Sequence, residues 1–248
     1  MRTNAIAAIY GHRGARAEWP ENTIEGFVRA AAKGVAGIET DIALTADFCP
    51  VLHHDPELPD GRRIKDLRQA ALPASVPTLE AALALLPDTE WLLEIKTFPD
   101  APERSHPPEL VTARVLEVLE KIGAQKIVIF AFDWAVLRAV AARQPALRRV
   151  CLTAPKTAQH RDVWWGPGYD GMSIPQAVAA TGAWGWAAEQ KSLTAAEIDE
   201  AHELGLKIFA WTVNEPADFA RLAPLVEGVI TDYPSRFQGE GLLFVNKK

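Results

Sequence analysis

The 248-residue chain is 48% hydrophobic and 23% charged, carries a net charge of −6 and contains two cysteines. That balance fits a globular domain with a full core; it excludes a disulfide scaffold, and with no basic run it argues against nucleic acid as a partner. No apolar stretch is long enough to span a bilayer, and Ala5-Ile6-Ala7-Ala8-Ile9-Tyr10 is too short for a signal-peptide core, so the expected compartment is the cytoplasm.

Strand-like and helix-like patterns alternate from end to end. Strands are predicted near Ile6–Tyr10, Gly37–Leu44, Trp91–Ile95, Ile127–Ala131, Arg149–Thr153, Gly171–Ile174, Lys207–Thr212 and Gly228–Thr231. Between them, Thr23–Lys33 places Ile24, Phe27, Val28 and Ala31 on one helical face, with Asn22 or Thr23 as cap. Thr78-Leu79-Glu80-Ala81 opens a second helix and Glu109–Ile122 forms a third; Trp134–Arg143 and Thr194–Leu204 repeat the pattern. Pro216 suits the first turn of a last helix, and Gly34, Gly123 and Gly205 suit left-handed positions that end helices. The stretch from Lys156 to Gln190, rich in Trp, Gly and Pro, has the weakest pattern. Eight βα units without a linker predict one closed (β/α)8 barrel domain over residues 1–248.

Chemistry-bearing residues collect at the strand ends. Side chains alternate along a strand, so Glu39 and Asp41 project to one face while Ile38, Thr40 and Ile42 take the other; Glu94 and Lys96 share a face in the same way. Three carboxylates converging at a barrel mouth require a compensating cation, and oxygen-only ligation suits one hard divalent ion, Mg²⁺ or Ca²⁺. His12 follows the first strand, and His54 ends Pro50-Val51-Leu52-His53, a short extension crossing the top after the second strand. Two imidazoles provide an acid and a base near neutrality. Arg13 can grip a phosphate bidentately and Lys96 adds a point charge. This combination points to hydrolysis of a phosphodiester. His53 falls on the opposite face from His54 and ranks below it; His106, His160 and His202 are expected to be structural, with His202 facing solvent. Cys49 and Cys151 lack metal-ligand spacing and read as reduced thiols.

The chain resembles the glycerophosphodiester phosphodiesterase family. The matching elements are Gly11-His12-Arg13-Gly14, Pro20-Glu21-Asn22-Thr23, Glu39-Thr40-Asp41, Pro50-Val51-Leu52-His53-His54-Asp55, Pro77-Thr78-Leu79-Glu80, Leu93-Glu94-Ile95-Lys96, Trp211-Thr212-Val213-Asn214 and Ile230-Thr231-Asp232-Tyr233-Pro234, in family order across nearly the whole chain. The resemblance implies a TIM barrel that hydrolyses glycerophosphodiesters to sn-glycerol 3-phosphate and an alcohol. It implies His12 and His54 as the acid/base pair, Glu39, Asp41 and Glu94 as ligands of one divalent metal, Arg13 and Lys96 on the phosphate, and Trp211 as an aromatic wall beside the substrate. Three departures surround the substrate: Leu58-Pro59-Asp60-Gly61-Arg62-Arg63 replaces an Arg-Thr-Thr stretch, the insertion after strand 2 is short (about Pro56 to Val76), and Ala131 stands where a serine commonly precedes Phe-Asp.

Two other readings fit parts of the pattern. A phospholipase D-like activity on lysophospholipids would need an apolar approach, for which Trp19, Trp164, Trp165, Trp184 and Trp186 are candidates. A barrel that binds a phosphodiester without turning it over would be expected to have lost a histidine or a metal carboxylate, and all five are present. Oligomeric state is open, a homodimer being common among barrels.

Overall fold

The computed structural model describes residues 6–237. Nine strands form its sheet: β1 (Ala8–Gly11), β2 (Gly37–Leu44), β3 (Pro50–Leu52), β4 (Glu90–Ile95), β5 (Ile127–Ala131), β6 (Arg148–Thr153), β7 (Gly185–Glu189), β8 (Lys207–Trp211) and β9 (Gly228–Thr231). All but β3 pair in parallel in the order β1-β9-β8-β7-β6-β5-β4-β2, and pairing of Tyr10 with Gly37 and Gly11 with Ile38 closes the ring. The result is the expected TIM barrel of eight parallel strands, with β3 turning back antiparallel along the end of β2.

The helices α1 (Ile24–Ala32), α2 (Leu79–Leu85), α3 (Pro108–Ile122), α4 (Trp134–Arg143), α5 (Pro155–Gln159), α6 (Arg161–Trp164), α7 (Ile174–Ala180), α8 (Ala195–Glu203) and α9 (Pro216–Leu222) lie between the strands. Thr23 is the cap of α1: its Oγ1 accepts the Gly26 N–H at 3.1 Å while its hydroxyl donates to the Pro20 carbonyl at 2.8 Å. Thr23→Ala is therefore expected to cost about 1 kcal/mol of stability, read from the urea midpoint at constant slope. An unchanged midpoint would show that the cap contributes nothing. Gly34, Gly123 and Gly205 adopt the left-handed conformation anticipated for them.

One predicted strand is misplaced. Gly171–Ile174 is not a strand; the sixth barrel strand is β7, Gly185–Glu189, and Ile174 instead begins α7. The reason is a capping box: Ser173 Oγ accepts the Gln176 N–H at 3.2 Å, the Gln176 side chain accepts the Ser173 N–H at 3.3 Å, and Pro175 sits in the first turn. The Gly-Trp-Ala-Ala-Glu sequence of β7 has no β-branched residue, so pairing with β6 and β8 makes it a strand rather than local propensity.

Parity along the strands sorts the core into two layers. Ile38, Ile42, Leu93, Ile95, Ile129, Cys151, Ile208 and Val229 face outward and pack under the helices with Phe27, Val115, Val136 and Phe219. Tyr10, Leu92, Val128, Phe130, Val150, Leu152, Phe209 and Ile230 face inward and fill the barrel. The rings of Tyr10 and Phe209 meet edge-on at 5.7 Å where the strands begin. A Cβ at Gly37 would stand 2.9 Å from the Tyr10 ring and 2.4 Å from the Glu90 carbonyl oxygen, so only glycine admits this plug. With one end filled, the polar residues of the interior lie towards the opposite, C-terminal mouth. Among the described residues no helix is long and apolar enough to cross a membrane.

Candidate active site

The register of β2 and β4 sets Asp41 beside Glu94, and Glu39 shares their face two residues earlier. One ligand oxygen from each of Glu39, Asp41 and Glu94 lies within 4.8 Å of the other two, and all three residues are buried. Lys96 follows β4 and reaches back: its Nζ donates to Asp41 at 3.0 Å and to Glu94 at 2.6 Å. Arg13 approaches from the loop after β1. Its backbone N–H donates to Glu39 at 2.9 Å, its guanidinium donates to Glu21 at 3.1 Å, and its Nε lies 3.4 Å from Asp41.

That loop is held in a demanding shape. Arg13 has φ 52°, a left-handed conformation that a long side chain rarely adopts. The His12 N–H bonded to Thr231 at 2.8 Å, Gly14 N–H to Glu39 at 3.2 Å and Asn22 N–H to Arg13 at 3.0 Å together fix it. Gly11 permits the fold-back, since a Cβ there would meet the Gly14 carbonyl oxygen at 1.7 Å.

Both histidines present one nitrogen to an acid. His12 Nδ1 lies 2.5 Å from Asp232 Oδ1, which leaves Nε2 facing Glu39 at 3.8 Å. His54 Nδ1 lies 2.7 Å from Asp55. His53 Nδ1 lies 2.8 Å from the Asp55 carbonyl oxygen.

Two asparagines brace the acidic residues by the same pattern. The amide of Asn22 donates to Asp41 at 3.0 Å, and its oxygen accepts from the Thr40 hydroxyl at 2.7 Å. Across the mouth, the amide of Asn214 donates to Asp232 at 2.8 Å, and its oxygen accepts from the Thr231 hydroxyl at 3.2 Å and the Asp232 N–H at 2.9 Å. Each Thr-Asp pair, one within β2 and one at the end of β9, thus has a loop asparagine that orients its carboxylate. The sequence offers Asn22 as an alternative cap of α1, a place the structure gives to Thr23, and attaches no role in the site to Asp232 or Asn214.

The electrostatics follow from this packing. Burial, and then the neighbouring Asp41 and Glu94 charges, push Glu39 well above the usual carboxylate range. Burial also raises Glu94, opposed by Lys96. Burial works to raise Asp41 too, but Lys96, His54, Arg13 and the Asn22 amide together hold it below its ordinary value. Burial and the adjacent Lys96 cation lower the His54 imidazole to about 4. Two of three clustered carboxylates are therefore reluctant to ionise without further positive charge. An all-oxygen donor set of this kind fits a hard divalent ion.

His12, Arg13, Glu39, His54, Glu94, Lys96 and Trp211 all line one cavity of about 500 Å³, with Asp41 behind them against Lys96. Phe130, Phe132, Leu152 and Ile230 form its apolar side, and Trp211 meets Phe132 edge-on at 5.6 Å. The five tryptophans considered for an apolar approach do not gather there. Trp165 and Trp186 are fully buried, Trp164 is nearly so, Trp184 packs on Phe209 at the strand starts, and Trp19 stacks on Arg29. His202 is also corrected: it is half-buried and lies 3.4 Å from Glu227. His106 Nε2 lies 3.1 Å from the Thr45 carbonyl oxygen.

The fold and its polar mouth define an α/β-barrel of the kind that hydrolyses phosphodiesters. Residues 12–236 match the model of the glycerophosphoryl diester phosphodiesterase family. A Silicibacter pomeroyi crystal structure assigned as a glycerophosphoryl diester phosphodiesterase superposes with a TM-score of 0.83 at 31% identity, covering 95% of this chain and 93% of that one. A Mycobacterium tuberculosis protein assigned as glycerophosphodiester phosphodiesterase 2 is 28% identical over 241 residues, 86% of this chain and 82% of its own length. An Oleispira antarctica phosphodiesterase in complex with the product sn-glycerol-3-phosphate shares the fold, with a TM-score of 0.77 at 22% identity over 94% of this chain and 96% of that one. The chain belongs to the glycerophosphoryl diester phosphodiesterase family. It is a phosphoric diester hydrolase, and the non-catalytic reading is set aside.

Proposed function

We propose that the protein hydrolyses glycerophosphodiesters to sn-glycerol 3-phosphate and an alcohol, with His12 and His54 moving the protons and a divalent cation held by Glu39, Asp41 and Glu94. The observation that carries this is the joint placement of both imidazoles and the buried carboxylate cluster on one cavity. A fold relative bound to sn-glycerol-3-phosphate supports the product class.

A cation in the cluster supplies Lewis acidity and neutralises charge at the phosphoryl oxygens. Arg13 and Lys96, already fixed by their carboxylate partners, present positive charge to the anionic ester. One imidazole takes the proton from the attacking hydroxyl while the other protonates the departing alkoxide. The apolar arc of Phe132 and Trp211 excludes water from the side away from the charges and covers the carbon skeleton of the substrate.

Asp232 acts through His12. Its carboxylate accepts from Nδ1–H and so keeps Nε2 turned towards the cavity. Asp232→Asn is expected to lower kcat by about ten- to a hundredfold with a smaller change in KM. Equal kcat in the variant would remove Asp232 from any role in orienting the ring.

The proposal is tested by assaying sn-glycerol 3-phosphate release from glycerophosphocholine and other headgroup diesters, with and without added Mg²⁺ or Ca²⁺, beside lysophosphatidylcholine as a lipid competitor. Release from the diesters is expected. Turnover of lysophosphatidylcholine alone would replace this reading with a lysophospholipase D one, against which the buried tryptophans now stand.

A further inference from the structure

Every acidic side chain lining the cavity is already committed. Glu39 and Glu94 belong to the carboxylate cluster, and Asp232 holds His12 at 2.5 Å and Asn214 at 2.8 Å. Two of the three fixed cations are committed as well: Lys96 to Asp41 and Glu94, and Arg13 to Glu21. Arg16 is different. It lines the same cavity from the loop after β1, its side chain is 39% exposed, and its guanidinium makes no hydrogen bond among the described residues.

The acidic oxygens near Arg16 are Asp232 Oδ1 at 3.6 Å and Glu21 Oε2 at 3.8 Å from its Nε. Both are beyond hydrogen-bond reach, and each carboxylate has a nearer partner, His12 at 2.5 Å and Arg13 at 3.1 Å. The terminal nitrogens of Arg16 are left to bond something entering the mouth. Position matters too. Arg16 stands by Asp232, on the Nδ1 side of the His12 ring, whereas Nε2 and the carboxylate cluster lie on the other side. A group that meets Arg16 is therefore set apart from a phosphate at the cluster by the His12 ring.

We infer that Arg16 selects the alcohol half of the diester, favouring leaving alcohols that carry a further anionic group, such as a second phosphate or a carboxylate, over those that carry an ammonium. The inference rests on the glycerophosphodiester reading above. An ammonium headgroup finds no uncommitted carboxylate on this cavity wall and meets a like charge at its rim, while an anionic one gains a charge-assisted, bidentate partner.

The test compares kcat/KM for glycerophosphoinositol 4-phosphate, glycerophosphoglycerol and glycerophosphocholine in the wild type and in Arg16→Gln, Arg16→Glu and Arg16→Lys, all by glycerol 3-phosphate release. The wild type is expected to prefer the phosphorylated headgroup over choline. Arg16→Gln is expected to reduce that ratio about tenfold, the lower end for a charged hydrogen bond at a half-exposed site. Arg16→Glu is expected to reduce it further, and Arg16→Lys to restore most of it. Salt at 0.5 M is expected to flatten the wild-type ratio. An equal loss on all three diesters would place Arg16 on the phosphate or the glycerol and overturn the inference, as would an unchanged ratio or a wild type that prefers choline. Failure of the wild type on every diester would instead overturn the glycerophosphodiester reading, and this inference with it.

Discussion

His12→Ala and His54→Ala are each expected to lower kcat by about 10²–10⁴-fold while leaving the barrel folded. Neither ring belongs to the core. The side chains are 15% and 33% exposed, both line the cavity, and each holds its Nδ1 within hydrogen-bond reach of a carboxylate. Truncation therefore creates no buried void, and the thermal unfolding curve is expected to stay near that of the wild type. The two variants should differ in one respect. With a nitrophenyl leaving group, which departs without protonation, the variant that lacks the general acid recovers much of its rate and the variant that lacks the base does not. This comparison assigns the two roles, which neither residue order nor distance decides. Turnover by either variant close to the wild-type rate at neutral pH would remove that histidine from the mechanism.

Much of the architecture was legible because the inward and outward layers follow strand parity. Ile38, Thr40 and Ile42 against Glu39 and Asp41 is a pattern of period two that only a strand with one apolar and one functional face explains, and the structure keeps it. The sixth strand was not legible for the opposite reason. Gly185–Glu189 is strung with alanine, glycine and tryptophan and becomes a strand by pairing on both edges, while Ile174, β-branched and strand-like, is drafted into α7 by the Ser173 and Gln176 capping box. Seven of the eight candidate site residues stood out because charged or titratable side chains at the ends of apolar runs are conspicuous, and Trp211 came from the family resemblance. Their supports did not: Asn22, Asn214 and Asp232 act through hydrogen bonds between segments 17 or more residues apart, which no local pattern encodes. Arg16 escaped notice because a lone arginine in a polar loop has no period and no neighbour in sequence; only the closed cavity shows that it lines the mouth, without a hydrogen bond among the described residues.

Exhaustive chelation is expected to silence the enzyme by about 10²–10⁴-fold, the scale of several kcal/mol of lost charge stabilisation, and readdition of Mg²⁺ or Ca²⁺ is expected to restore it. The carboxylate cluster supplies the reason. Lys96 compensates Asp41 and Glu94 directly, so the metal-free protein keeps enough positive charge in the barrel to stay folded. Among the described residues the Glu39 carboxylate receives one hydrogen bond, from the Arg13 backbone N–H at 2.9 Å, and burial drives it towards its neutral form. Of the three carboxylates it is the one whose ionisation would depend most on a bound cation. Glu39→Gln is thus expected to raise the metal concentration needed for half-maximal activity by more than tenfold while the far-ultraviolet circular dichroism is retained. Titration calorimetry with Mg²⁺ and with Ca²⁺ on the same variants reads the affinity change without any turnover. Full activity after chelation, or a metal requirement that Glu39→Gln leaves unmoved, would show that the cluster owes its charge balance to Lys96 and Arg13 alone and that hydrolysis proceeds without a cation there.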